Sequence, residues 1–141
     1  MTTAKDLLRP CPCVPETITV SELLTQLGPD GYYAVVDARG HLAGILTEYD
    51  LVKLVYESGE FEPETFIGSQ PAFLGYTREQ LRALTAADIM TNDPEYVSPE
   101  TDIDDLVAIV FKNRRKVVPV IEGHIVLGVV RRRDLLQKVL G

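Results

Sequence analysis

The sequence predicts an α+β fold in which a β-α-β-β-α unit is used twice and the two copies pack as one pseudo-twofold module. Three observations carry this. Two stretches of the chain resemble each other over most of their length. Within each, short β-branched strands follow helices of amphipathic spacing. The chain has 141 residues, which suits one compact domain, whereas a unit of about 50 residues buries little surface alone.

The repeat shows as a shared order of residues. Ala4-Lys5-Asp6-Leu7-Leu8 matches Ala86-Ala87-Asp88-Ile89-Met90 at an offset of 82. Val20, Leu23, Leu24 and Leu27 match Ile103, Leu106, Val107 and Val110 at 83. Ala34-Val35-Val36-Asp37 matches Pro119-Val120-Ile121-Glu122 at 85, and Gly44, Asp50, Leu51 and Val55 match Gly128, Asp134, Leu135 and Val139 at 84. The offset drifts in small steps, as it does when gaps fall in loops.

Each copy then builds in order. A short extended piece comes first, around Val14 and around Tyr96-Val97. Apolar residues at i, i+3, i+4 and i+7 make residues 20–27 and 102–111 amphipathic helices. Tyr32–Asp37 and Val117–Glu122 are short and β-branched or aromatic, so they read as strands. Turn residues follow, Ala38-Arg39-Gly40 and Gly123-His124, and then second strands, Leu42–Leu46 and Ile125–Val130. Turns this tight make each strand pair an antiparallel hairpin. A helix closes each copy, over residues 48–57 and 132–139. The copies occupy residues 1–56 and 88–141, with a connector of residues 57–87 between them. Glu57 to Gln70 is acidic and rich in Gly and Pro, so it reads as a loop. Thr77-Arg78-Glu79-Gln80 has capping-box spacing and opens a short helix through Leu84. The connector is either a surface excursion or a flap facing a partner.

Composition excludes several classes of function. The formal charge of −7 argues against nucleic acid as a partner, since such binding rests on neutralising phosphates. The charge is uneven. Residues 1–87 carry 6 Lys/Arg against 12 Asp/Glu, while residues 88–141 carry 8 against 9. Apolar runs are short, and no basic stretch with an apolar core opens the chain, so a cytoplasmic protein without a membrane segment is expected. Cys11 and Cys13 are one residue apart, a poor spacing for a disulfide, and His41 and His124 both fall in predicted turns. A zinc site needs about four ligands, so no metal is expected. The glycine-rich, zinc-protease and serine-hydrolase motifs are missing, and nothing pairs a nucleophile with a base. The reading is of a protein that is not an enzyme, with no catalytic residue and no catalytic cofactor.

The chemistry sits at a strand-to-helix junction. Gly44-Ile45-Leu46-Thr47-Glu48-Tyr49-Asp50 has Gly128-Val129-Val130-Arg131-Arg132-Arg133-Asp134 as its counterpart. A helix N-terminus presents unpaired N–H groups and a positive dipole end, which suit a phosphate. A carboxylate on the next turn can accept two bonds from a ribose diol. Thr47 with Asp50 is equally the spacing of a capping box. Arg131, Arg132 and Arg133 stand at a helix start, where the dipole opposes cations. Lys112, Arg114, Arg115 and Lys116 precede the adjacent strand. This excess of cations points to an anionic ligand such as a polyphosphate tail, or else is solvated surface. Tyr32, Tyr33 and Tyr49 are placed either to stack on an adenine or to pack.

Taken together, the Asp88-Ile89-Met90 opening, the Pro99-Glu100-Thr101 turn, the Val118-Pro119-Val120 strand and the Gly44-x-x-Thr47-x-x-Asp50 junction resemble the CBS domain, named after cystathionine β-synthase. The resemblance covers both copies and leaves out residues 57–87. It implies a sensory or regulatory module whose ligand is an adenine nucleotide (AMP, ADP or ATP) or S-adenosylmethionine. It also implies a homodimer flattened into a disc through its helices, acting in trans on a partner protein. By the same resemblance Thr47 contacts phosphate or ribose, and Asp50 and Asp134 take ribose hydroxyls. Ala34, Val35, Pro119 and Val120 line the adenine pocket, and Lys116 contacts phosphate. Arg131 stands where Thr or Ser is usual and, with Arg132, suits the second copy to the more highly charged ligand. Two rival readings remain: a ligand-free CBS pair that dimerises or scaffolds, and nucleic-acid recognition through Arg131–Arg133.

Overall fold

The computed structural model describes residues 1–59 and 73–141. Most of the loop expected over Glu57 to Gln70 lies outside the described residues. In chain order a 3-10 turn, Ala4–Leu7, leads to β1 (Cys13–Pro15), α1 (Val20–Leu24), β2 (Tyr32–Val36), β3 (Leu42–Thr47) and α2 (Glu48–Glu57). After the connector come α3 (Arg78–Ala83), α4 (Ala86–Ile89), β4 (Thr91–Asn92), α5 (Ile103–Asn113), β5 (Val117–Glu122), β6 (Ile125–Arg131) and α6 (Arg132–Leu140). The predicted α+β unit is present twice.

Side-chain caps fix where the helices begin. Thr19, Thr47 and Thr77 each accept from the backbone N–H three residues on, and the residue at that position reaches back to the threonine N–H. These are capping boxes, and they leave fewer orphan donors at each helix start. Helix α1 stops at Leu24, short of the predicted Leu27. The Thr25 hydroxyl there bonds the Glu22 carbonyl at 2.6 Å, and Gly28-Pro29 follows. Helix α5 ends on Arg114, which takes the left-handed conformation at φ 52°.

Strand β1 runs parallel to β2, and β2 and β3 form an antiparallel hairpin with Tyr33 beside Leu46 and Ala34 beside Ile45. Strands β5 and β6 form the second hairpin, with Val118 beside Val130. Each hairpin carries an irregularity at the equivalent place, between Val35 and Val36 and between Val120 and Ile121. Pro119 has no N–H to donate, but its carbonyl accepts from Val97 at 2.9 Å. Val97 thus supplies the second copy's counterpart of β1.

The two copies exchange their leading segments. Strand β4 follows α4 in the chain's second half yet pairs with β3 of the first, Gly44 beside Asn92 and Ile45 beside Thr91. Reciprocally, Arg9 pairs with Val129 of β6 through bonds of 2.8 and 2.9 Å. The 3-10 turn is held by Ala4 N–H to Thr101 O and Lys5 N–H to Pro99 O, and α4 by Ala86 N–H to Ile18 O and Ala87 N–H to Glu16 O. The cores follow the same rule. Ala4 packs with Val97, Leu106, Val110, Val118, Val120, Val130 and Leu135, while Ala86 packs with Val14, Ile18, Leu23, Tyr33, Val35 and Leu46. The sequence repeat is contiguous along the chain, but the packing units are not. The segments that cross are short, the Ala4–Leu7 turn with Arg9 on one side and α4 with the two-residue β4 on the other, and each is held by bonds to the other copy. Tyr32, Val117 and Val129 form a small cluster at the junction of the lobes, with Cys11 against it.

Candidate functional site

Each hairpin begins beside the start of its closing helix. Arg132 N–H donates to the Lys116 carbonyl at 2.8 Å, and at the equivalent place Glu48 N–H donates to the Gly31 carbonyl at 3.0 Å. In the second copy this sets Lys116 against the Arg131–Arg133 run. A cleft of about 320 Å³ results, walled by Lys116, Val117, Arg131, Arg132 and Arg133 from one copy and by Pro29, Asp30 and Tyr32 from the other. Among the described residues, four cationic residues and one carboxylate line it. In the first copy the same backbone contact sets Gly31 against Glu48, whose carboxylate lies where a Cβ on Gly31 would meet it at 3.2–3.3 Å. The two equivalent places therefore carry opposite charge.

Several predicted site residues come together in the cationic cleft, namely Lys116, Arg131 and Arg132. Lys112, Arg114 and Arg115 are not among its walls. Asp134 stands behind Arg131. Arg131 Nε donates to its Oδ2 at 2.7 Å and Arg131 Nη2 to its Oδ1 at 3.0 Å. Arg9, brought in by the exchanged segment, donates to the same two oxygens at 3.2 and 3.5 Å. The bonds from Arg131, and then those from Arg9, hold the Asp134 carboxyl below the usual carboxylate range against the opposing effect of burial. Arg131 thus replaces the usual hydroxyl cap with a charge clamp, and it also stands 3.9 Å from Asp30. It makes no side-chain cap bond to α6.

Thr47 and Asp50 satisfy each other in the capping box. Asp50 Oδ2 accepts from Thr47 N–H at 2.8 Å and from the Thr47 hydroxyl at 3.2 Å, and the hydroxyl accepts from Asp50 N–H at 3.3 Å. Ala34, Val35, Pro119 and Val120 are all core side chains with essentially no exposure, and none is among the walls of the cationic cleft. Of the tyrosines, Tyr32 edges the cleft. Tyr33 is buried, its hydroxyl accepting from Gly28 N–H at 2.8 Å, and Tyr49 is 73% exposed on α2.

Arg9, Asp30 and Glu48 were not legible as site residues. Arg9 lies 125 residues from Asp134 in the chain, and no local pattern marks it. Away from this site, the turns that carry His41 and His124 meet, with ring centres 4.9 Å apart, beside a cleft of about 420 Å³. Among the described residues no group of three or more His, Cys, Asp or Glu is placed to hold a metal ion. No helix among them is long and apolar enough to cross a membrane.

Residues 4–57 and 86–141 each match the CBS domain. The A-adding tRNA nucleotidyltransferase of Aquifex aeolicus is 28% identical over 138 residues, 96% of this chain but 14% of that enzyme. The chain spans less than a third of the curated relatives it matches. Among solved structures, CBSX2 in complex with AMP is similar at a TM-score of 0.73 and 20% identity, covering 99% of this chain and 97% of that one. The CBS domain pair of MJ0100 in complex with 5′-methylthioadenosine and S-adenosyl-L-methionine is similar at 0.74 and 21%, covering 99% and 96%.

Proposed function

The chain belongs to the CBS-domain family, and from that premise we propose that it is a regulatory module binding an adenine nucleotide in the cleft between Lys116 and Arg131–Arg133. The carrying observation is the charge of that cleft in a protein of net charge −7. Four cations converge on a pocket at a helix start, an arrangement suited to a phosphate chain. CBSX2 with AMP and MJ0100 with two adenosine compounds support the ligand class. Tyr32 offers an aromatic edge to a base, and Arg132 and Lys116 reach the phosphates. The first copy, with Glu48 on Gly31, disfavours a phosphate at the equivalent place. The ligand expected is therefore the more highly charged one, ATP or ADP, at one site per chain.

The module acts without catalysis of its own, in the cytosol, on a partner protein in trans. It forms a homodimer through its helices. Tyr49 and Val52 on α2, Phe111 on α5, and Leu136, Val139 and Leu140 on α6 are all exposed apolar side chains that such an interface would cover.

Thermal shift with AMP, ADP, ATP and S-adenosylmethionine tests the reading, because a ligand of the native state raises the melting temperature. ATP should give the largest rise. No shift with any of the four at millimolar concentration would sink the proposal. One observation favours the rival, a ligand-free scaffold: Thr47, Asp50 and Asp134 are all satisfied by partners within the chain. On that reading the dimer persists and all four compounds are inert.

A further inference from the structure

The Asp134 carboxylate holds one more guanidinium than it needs. Its side chain is only 9% exposed, and both its oxygens accept from Arg131 and from Arg9. A carboxylate offers about four acceptor positions, so the two forks fill it. The two arginines stand in different places. Arg131 is a wall of the cationic cleft, and its other neighbour is Asp30 across that cleft, at 3.9 Å. Arg9 is not a wall of the cleft. It borders a separate hollow with Asp6, Asp134, Gln137 and Lys138, and its backbone is pinned to Val129 on both sides. An anion entering the cleft meets Arg131 and not Arg9.

Resting on the reading that this cleft takes a phosphate chain, we propose that Arg131 is a reserve anion-binding side chain parked on Asp134, and that Arg9 is the positioning residue that keeps Asp134 compensated when Arg131 turns to the ligand. Stripping a buried carboxylate of its partner is strongly unfavourable. With Arg9 in place, the turn of Arg131 exchanges one ion pair for another and leaves no buried charge bare. Without Arg9, the turn of Arg131 to the ligand leaves the Asp134 carboxylate bare. Arg9 thus governs affinity from outside the cleft. It also couples occupancy to the segment that the two lobes exchange.

A double-mutant cycle tests this, with inorganic tripolyphosphate and ATP as probes in titration calorimetry at low salt. Arg9→Gln should weaken tripolyphosphate roughly fivefold, the upper end for an ion pair with one exposed partner. In the Asp134→Asn background there is no carboxylate to compensate, so adding Arg9→Gln should change affinity less than twofold. Arg9→Lys keeps the charge and should retain most of the affinity, which preserves the comparison should Arg9→Gln fold poorly. Equal losses in both backgrounds would show Arg9 acting as a direct or long-range cation and overturn the proposal. No loss in either would overturn it too. Tripolyphosphate binding with no gain from the adenosine part of ATP would reject the adenine ligand while leaving the Arg9 cycle standing. Failure of both probes to bind the native protein would reject both ideas.

Discussion

Replacing Gly128 with alanine tests why this junction carries a glycine at all. A Cβ at Gly128 would lie 2.3 Å from the Arg9 carbonyl oxygen, 3.0 Å from Leu8 Cδ1 and 3.2 Å from the Arg9 carbonyl carbon. Ordinary contact starts at 3.4 Å, so the Arg9 carbonyl would have to retreat by about 1 Å. Such a retreat breaks the Arg9–Val129 pair of bonds, now 2.8 and 2.9 Å. Two lost backbone bonds cost roughly 1–3 kcal/mol net, and residual crowding adds about 1–3 kcal/mol. The expected destabilisation is therefore ~2–6 kcal/mol, with a fall in melting temperature of about 5–20 °C for a chain of this size. Urea unfolding at equilibrium measures it. Gly28→Ala is the control, since nothing lies within 4 Å of a Cβ there; it should stay within about 0.5 kcal/mol of the native protein. Gly44→Ala should resemble Gly128→Ala, because its Cβ would meet Thr91 O at 2.6 Å and Met90 Sδ at 2.5 Å. If Gly128→Ala is no less stable than Gly28→Ala, the close approach of the exchanged segment is not what demands glycine.

Other consequences can be measured directly. Arg132→Ala should weaken ATP more than Asp50→Ala does, and equal losses would make the charge asymmetry between copies irrelevant. Asp30→Asn removes the one carboxylate that lines the cationic cleft among the described residues and should tighten ATP roughly twofold to fivefold, an exposed-pair effect that high salt should erase. The arginine pair depresses the Asp134 carboxyl, so its contribution to stability is present above the unfolded value of about 3.9 and is lost as pH falls through the lower folded value. Asp134→Asn should accordingly flatten the acid limb of the stability profile below about pH 4, and an unchanged limb would deny the clamp a role. Burial pushes the Cys11 thiol up to about 12, and Cys13 is exposed. Thiol labelling at pH 8 should therefore fall mainly on Cys13, and Cys13→Ser should remove most of it.

The sequence showed the elements well because their causes are local. Threonine caps, the period of the apolar residues and the Gly123-His124 turn each act within a few residues. Strands β5 and β6 and helix α2 lie within a residue of expectation for that reason. The exchange of leading segments was hidden because Ala4-Lys5-Asp6-Leu7-Leu8 and Ala86-Ala87-Asp88-Ile89-Met90 are alike, and likeness does not say which lobe receives which. The glycine at each junction was visible as part of a motif, while its cause, a carbonyl from the other half of the chain, is tertiary. The cationic cleft was half legible. Lys116 and Arg131–Arg133 lie at neighbouring ends of β5 and α6, so hairpin geometry alone brings them near. Arg9 and Asp30 enter from elsewhere. Ala34, Val35, Pro119 and Val120 are apolar strand residues, and the structure buries their side chains.

The exchange of segments also bears on how such a molecule can be taken apart. Residues 1–59 and 73–141 each hold a piece of the other's sheet, so neither is a free-standing half. Severing the peptide link between them should yield two polypeptides that stay clasped and purify together. Either piece made alone would present an empty groove on one edge and an unhoused segment at its own start. Two copies of one piece could satisfy each other in that way. The covalent chain can thus be viewed as an interlocked dimer whose subunits were joined end to end.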